Sequence, residues 1–511
     1  MTVRNYVALF TIFLSSSFAK GQTATHLIRS QQPPLLSFDD LVSLASVDPP
    51  PPDLQKRLDA LLSEPFISNE ASLAGAEPRK PVVRGIGPVL RIAEWNINRL
   101  DKESMRLALS DRQGYYQAAR ENPKLKRKAL NRALAEVDNL QGADVIVLDE
   151  IDDGVKRSGY HNVPRDLAQL LHMNYAYAVE FVELNSIYLG VKKIDIVDLA
   201  RQRQAKETFG VNPARDLALE GTALLSRFPI LNARIVPLPE EYDWYHGEIG
   251  AISELEKAEK WSAKKLFDER LARQVRRGGR LLLLVQLAVP GVPSGVLTVA
   301  CPHLEDYATP KGRREQMNFV LQQIAGIPGP LVSAGDLNTL GHDGTPVTTK
   351  RVIKRYLENY RFWLREAFYL ILPIPGVHYA VTAINYFKNY HDPTATNIPI
   401  LAPNHSEPLF ADLRKFRFAD GGRFDWAGRK QDSFHRKGRT LSDSDERAWK
   451  GFATTFSYRR TYHGLVGEWK IDWILAKSVV PHSGRTLCDL NTATAERISD
   501  HCPTTVDFPL H

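Results

Sequence analysis

Residues Asp144-Val145-Ile146-Val147-Leu148-Asp149-Glu150 decide how the chain is read. A short apolar, β-branched run that closes on carboxylates predicts a strand covered on both faces with acids at its end. Ahead of it, Leu130, Leu134 and Val137 recur at helical spacing, with Lys124, Lys126, Arg127 and Lys128 near the start of that helix. A solvated face accounts for the basic end more simply than a binding patch. Further back, Leu90 to Trp95 is another apolar run, and it ends at Asn96. Strand, helix and strand in this order are the pattern of an α/β (or α+β) domain.

The same wording recurs downstream. Leu281 to Leu287 and Val296 to Val299 predict a hairpin leading to His303, Pro330 to Ala334 ends at Gly335-Asp336, and Ile471 to Leu475 carries Asp472. The residues at or near these ends are Asn96, Asn98, Glu150, His303, Asp336, Asn338, Asp472, Asp500 and His501. Hard oxygen donors with imidazoles suit Mg²⁺, which takes a few carboxylates and several waters and partners phosphate oxygens. A carboxylate beside Val145 to Leu148 is costly to desolvate unless a cation or hydrogen bonds hold it. Singly, each acid reads as a turn or cap residue and each histidine as a structural one. Together they point to phosphate-ester chemistry.

Composition sets the frame. With 511 residues, 43% hydrophobic and 24% charged, the chain is not collagen-like, coiled-coil or wholly disordered. A net charge of +7 suits a polyanionic partner such as nucleic acid or anionic lipid. Residues 1–19, with Arg4, the apolar Tyr6 to Leu14 and the small-x-small Ser17-Phe18-Ala19, predict a cleaved signal peptide and a secreted or periplasmic protein. Residues 20–87 read as a Pro-rich leader or linker with a short helix around Leu54 to Leu62. Residues 88–511 read as one domain with insertions at about 187–220 and 340–459. Within the second, Tyr360 to Phe387 is broken by Pro373 and Pro375; it reads as a packed excursion, with a membrane-touching loop as the sharper alternative. Cys301, Cys488 and Cys502 allow at most one bridge and lack zinc spacing; Cys301 and Cys502 read as packing residues beside His303 and His501.

Seven segments in order then carry a resemblance. They are Glu94-Trp95-Asn96-Ile97, Asp144 to Glu150, Gly221 to Ile230, Pro302-His303-Leu304-Glu305 with Arg313 and Gln316, Gly335-Asp336-Leu337-Asn338, Ile471-Asp472-Trp473-Ile474 and Ser499-Asp500-His501-Cys502-Pro503. The chain from about residue 88 onward resembles the endonuclease/exonuclease/phosphatase superfamily. That group includes abasic-site endonucleases, pancreatic-type deoxyribonucleases, neutral sphingomyelinases and inositol polyphosphate phosphatases.

The resemblance implies a four-layered α/β sandwich, two packed mixed β-sheets flanked by helices, with the site at one edge. It implies Glu150 as principal Mg²⁺ ligand (Mn²⁺ as substitute), helped by Asn98 or Asp500. Asp472 and His501 resemble the family's carboxylate–imidazole pair, His501 acting on the attacking water or binding phosphate. Asp336 would orient or deprotonate that water, Asn338 and Asn96 would donate to phosphate oxygens, and His303 would stabilise the phosphate or help the leaving oxygen depart. The identity of the base stays open at this point. The implied enzyme is a metal-dependent phosphodiesterase, a nuclease first and a sphingomyelinase-like lipid phosphodiesterase or other phosphatase second, with no obligate protein partner. Ser333-Ala334 before Gly335 and Lys470-Ile471 before Asp472 depart from the inositol phosphatases. The intact acid and histidine set disfavours a non-catalytic binding module.

Overall fold

In a strand, every second side chain points the same way, so apolar runs from two sheets can close one core between them. The computed structural model describes residues 27–98, 102–184, 189, 211–249, 275–339, 360, 363, 367, 405–425, 447–448, 451–452, 454–457, 468–495 and 497–510. Its strands are β1 (Ser30–Gln31), β2 (Phe66–Ser68), β3 (Val82–Val83), β4 (Gly87–Asn96), β5 (Val145–Asp153), β6 (Asn174–Glu183), β7 (Leu219–Ser226), β8 (Ile230–Pro237), β9 (Arg276–Gly278) and β10 (Leu281–Ala288). There follow β11 (Val296–Pro302), β12 (Leu331–Asp336), β13 (Arg447–Ala448), β14 (Gly451–Phe452), β15 (Phe456–Ser457), β16 (Glu468–Trp469), β17 (Asp472–Lys477), β18 (Ser483–Thr486) and β19 (Thr504–Pro509).

Ten strands form one sheet in the order β1-β2-β6-β7-β5-β4-β19-β18, with β3 on β4 and β9 on β6. Five form the second, in the order β17-β12-β11-β10-β8. Both are mixed, because β4 runs parallel to β5 and β11 parallel to β12 while their other ladders are antiparallel. Ile92, Val147, Leu224, Val299, Val332, Ile474 and Val506 fill the space between the sheets. On the outer face of the large sheet, Trp95, Ile146 and Leu148 meet the helices Arg127–Gln141 and Val163–Leu171. On the outer face of the small one, Leu282, Leu284 and Trp473 meet the helices Pro310–Ile324 and Glu407–Lys415. The result is the expected four layers, helix, sheet, sheet and helix.

The Pro-rich stretch is more than a linker. Its helices Phe38–Ser46, opened by a Ser37/Asp40 capping box, and Pro52–Ser63 bury Leu41, Leu44, Leu54, Leu58 and Leu61 in the core that holds Trp95. Strands β1 and β2 extend the large sheet beyond β6. Apolar residues at helical spacing between the prolines outweigh the extended bias of the composition, at roughly 1.5–3 kcal/mol per buried leucine.

The insertions are corrected where they can be seen. Leu219 and Glu220 already belong to β7. Residues 405–425 are part of the body: Phe410 packs on Trp473, Arg314 pairs with Asp412 at 2.5 Å, and Asp425 bridges Ala476 of β17. Residues 1–19, and Tyr360 to Phe387 apart from residues 360, 363 and 367, lie outside the described residues. Among the described residues no helix is long and apolar enough to cross a membrane. Cys301 is free and buried, as expected of a packing residue, but Cys502 is bridged to Cys488.

Candidate active site

The site is where the inter-sheet core changes chemistry without changing register. Two residues beyond the inward-facing Ile92 comes Glu94, and two further Asn96; beyond Val147 comes Asp149, beyond Ala178 Glu180, beyond Leu224 Thr222. On the small sheet His303 follows Cys301, Asp336 follows Ala334, and Asp472 precedes Ile474. Period-two alternation therefore aims all these polar groups into one end of the sandwich. In the ladder of β12 and β17, Asp336 lies directly opposite Asp472.

Two bulges shape this end. The register slips by one residue between Leu148 and Ile151 of β5, and again between Val179 and Phe181 of β6, both opposite Gly221 of β7. A Cβ on Gly221 would collide with the Ala178 carbonyl oxygen, so only glycine fits. The bulge in β5 puts Glu150 at φ 55° and releases it from the alternation, leaving it half-buried at the rim.

Around His501 the contacts are close. Its Nδ1 lies 2.9 and 3.0 Å from the two Asp472 oxygens, and its Nε2 lies 3.9 Å from both Asp336 Oδ2 and Asp500 Oδ1. Asn96 Nδ2 donates to Asp336 Oδ2 at 3.1 Å. The Asn98 backbone N–H donates to Asn96 Oδ1, which sets which way that amide faces. Asp336 Oδ1 accepts the Asn338 N–H at 2.7 Å, and Asn338 Nδ2 donates to the Leu304 carbonyl at 2.9 Å. Thr455 Oγ1 receives the backbone N–H groups of Ile471 and Asp472, so the end of the long insertion supports the acid. Ser499 Oγ donates to the Asn96 carbonyl and receives the His501 N–H.

A second group adjoins it. Asp149 Oδ1 and Glu180 Oε1 share the Thr222 hydroxyl at 2.8 and 2.6 Å. Glu180 Oε1 lies 3.0 Å from His303 Nδ1, and Arg280 Nη1 reaches both Glu180 Oε2 at 2.6 Å and His303 Nδ1 at 2.9 Å. Downstream, Gln316 Oε1 accepts the Glu305 N–H and Arg313 donates to the Ala308 carbonyl, fixing the loop after His303.

Charge separates the groups. Burial and the neighbouring Asp472 push Asp336 up to about 7. Burial, then Asp472, Asp149 and Asp336, raise Glu94 well above the carboxylate range, and its Oε1 is buried with no hydrogen-bond partner. Burial raises Asp500, opposed by His501 and reinforced by Glu150. Burial opposes the charge on His501, but Asp472 outweighs it and brings the ring to about 10. Burial likewise opposes the charge on Glu180, yet His303 and Arg280 bring it down to about 2.

Two triads place ligand atoms within 4.8 Å of one another: Asp336, Asp472 and His501, and Asp149, Glu180 and His303. In the second, Arg280 already supplies positive charge. Around the first, Asp336 and Asp500 sit above their ordinary range and Glu150 adds to the negative potential, so a hard divalent cation fits this oxygen-rich side.

The structure thus gathers Asn96, Asp336, Asn338, Asp472, Asp500 and His501 at one end, with Glu150 at the rim, His303 in the adjoining group and Asn98 exposed. Sequence reading missed Glu180, Arg280, Thr222 and Thr455. A signal existed for Glu180 alone, an acid in the inward register of Ala176 and Ala178.

The family model described as "Endonuclease/Exonuclease/phosphatase family" matches residues 93–501. The chain belongs to the endonuclease/exonuclease/phosphatase family. It is a phosphoesterase of that family with a candidate buried metal site. Among solved structures it is similar to an endonuclease/exonuclease/phosphatase from Beutenbergia cavernae DSM 12333, at 18% identity and TM-score 0.37 over 83% of this chain and 72% of that one. It is also similar to the 3'-5' exonuclease NExo from Neisseria meningitidis, at 16% and 0.36 over 82% and 99%. A third is the human Nocturnin catalytic domain with bound sulfate anion, at 14% and 0.33 over 85% and 100%. No curated protein matches.

Proposed function

We propose that this family member is a secreted or periplasmic, Mg²⁺-dependent phosphodiesterase that cleaves nucleic acid by in-line attack of water. The observation that carries the reading is the pairing of Asp336, near 7, with the His501–Asp472 couple across one small buried space. A base near neutrality and an imidazolium beside it divide the proton work. Asp336 takes a proton from water as the water oxygen bonds to phosphorus. As the ester P–O bond breaks, His501 Nε2 gives a proton to the leaving oxygen, while Nδ1 stays on Asp472. Asp336 then returns its proton to His501 through solvent, and both groups are reset. Asn96 and Asn338, each with an amide hydrogen to spare, and His303 donate to phosphate oxygens as negative charge concentrates there. Glu150, Asp500 and Asn98 would hold the cation, which when bound polarises the phosphoryl group and offsets its charge.

The net positive charge supports a polyanionic substrate. The test is purified protein with plasmid and single-stranded DNA, in Mg²⁺ or Mn²⁺ and in EDTA, beside His501→Ala. Metal-dependent cleavage absent from His501→Ala is expected; cleavage indifferent to EDTA or to that substitution refutes the reading. The lipid alternative rests on 360–387, outside the described residues, and the same panel tests it by phosphocholine release from sphingomyelin vesicles.

A further inference from the structure

The two histidines of the site are not equivalent, and the difference lies at Nδ1. Arg280 Nη1 has two hydrogens and two acceptors, Glu180 Oε2 and His303 Nδ1. A guanidinium only donates and keeps its charge. Glu180 does not depend on the ring for its hydrogen bonds, because Arg280 serves Oε2 and the Thr222 hydroxyl lies 2.6 Å from Oε1. His303 Nδ1 is therefore set between an obligatory donor and an acceptor.

Two states of the ring satisfy this setting. In the neutral ring Nδ1 accepts from Arg280; in the imidazolium Nδ1–H donates to Glu180. Both carry a hydrogen on Nε2. The remaining neutral tautomer, with hydrogen on Nδ1 and a bare Nε2, turns one N–H against another at 2.9 Å and leaves an Arg280 hydrogen unused. His303 Nε2 is buried with no hydrogen-bond partner in the protein. Its ring is fully enclosed and shares a 4.8 Å cluster with Asp149, which in turn receives the Asp336 N–H. At His501, by contrast, the Nδ1 contacts are the two Asp472 oxygens, so both neutral tautomers stay open to that ring.

The geometry points to Arg280 as a positioning residue that holds His303 as a standing Nε2–H donor for a phosphate oxygen and keeps it out of proton transfer. What Nε2 meets rests on the phosphodiesterase reading; the tautomer does not. His303 then begins and ends each turnover with the same hydrogen on Nε2, and the proton exchange described for Asp336 and His501 is complete without it.

The test is ¹⁵N NMR of protein labelled in its histidine rings, with the His303 signal assigned by its loss in His303→Asn. The native ring is expected to show a protonated Nε2 throughout the pH range of the folded protein. Arg280→Met should move the hydrogen to Nδ1 and lower kcat by about 10²-fold with little change in KM, while Arg280→Lys should restore part of both. A bare Nε2 in the native protein overturns the proposal, as does an unchanged tautomer in Arg280→Met. Should Arg280→Met fail to fold, the native spectrum decides alone. A protonated Nε2 in a protein that cleaves no phosphodiester would sink the functional reading and leave the tautomer standing.

Discussion

Asp149 Oδ2 accepts the backbone N–H of Asp336 at 3.0 Å, and this bond joins the large sheet to the small one at the floor of the site. Asp149→Ala leaves that buried N–H without its acceptor. The expected cost is about 1–3 kcal/mol of stability, read as a lower urea midpoint. A loss of kcat should accompany it, since a shift of about 1 Å in a reacting group can cost 10²-fold. Asp149→Asn, which keeps an acceptor oxygen, should recover most of the stability.

His501 and Asp472 act as one unit in this geometry. Each of Asp472→Asn and His501→Ala should lower kcat by about 10²–10⁴-fold with far-ultraviolet circular dichroism unchanged. The double variant should be little worse than either single one. Additive losses would show that the pair does not work together.

Gly221 faces two bulges at once, and a methyl group there would collide with the Ala178 carbonyl. Gly221→Ala should cost on the order of 3 kcal/mol or more, through strain at a tightly opposed backbone. It should also displace Glu150, so the Mg²⁺ concentration for half-maximal activity should rise more than KM for substrate. A soluble variant with native stability would show that β5 and β6 can relax.

Asp153 gives a pH signature away from the candidate site. Burial pushes it up from 3.8 to about 7, with Arg165 opposing and Asp166 reinforcing, and Asn162 Nδ2 donates to it at 2.7 Å. Between those two values the folded chain holds a proton that the unfolded chain has lost. Stability therefore falls as pH rises through that window and stays reduced above it. Asp153→Asn removes the term. The variant and the native protein should unfold alike near about pH 4, whereas at about pH 8 the variant should be more stable by a few kcal/mol at most, at about 1.4 kcal/mol per unit. Equal midpoints at the higher pH would overturn this assignment.

The strands were legible because their apolar runs alternate or saturate in ways only a sheet explains, and the helix Arg127–Gln141 because Leu130, Leu134 and Val137 fall on one face. The acids at the strand ends could be read for the same reason, since Asp336 and Asp472 interrupt an apolar register. Glu180 and Arg280 were not, because a charge in a strand ordinarily faces solvent, and only the folded partner strands show that these two face inward and pair. The bulges depend on which residue of β7 lies opposite, which a single strand does not record. The leader was underestimated because proline content hid its leucines.

The bridge between Cys488 and Cys502 ends one residue past His501, and Asn491 of the same short helix holds the Ser499 and His501 carbonyls. The imidazole is thus tethered covalently from just behind. Protein recovered from a thiol-rich cytosol would arrive with that tether undone, so preparations from reducing and oxidising hosts should differ in specific activity at equal yield. Choosing the host is then part of measuring the enzyme.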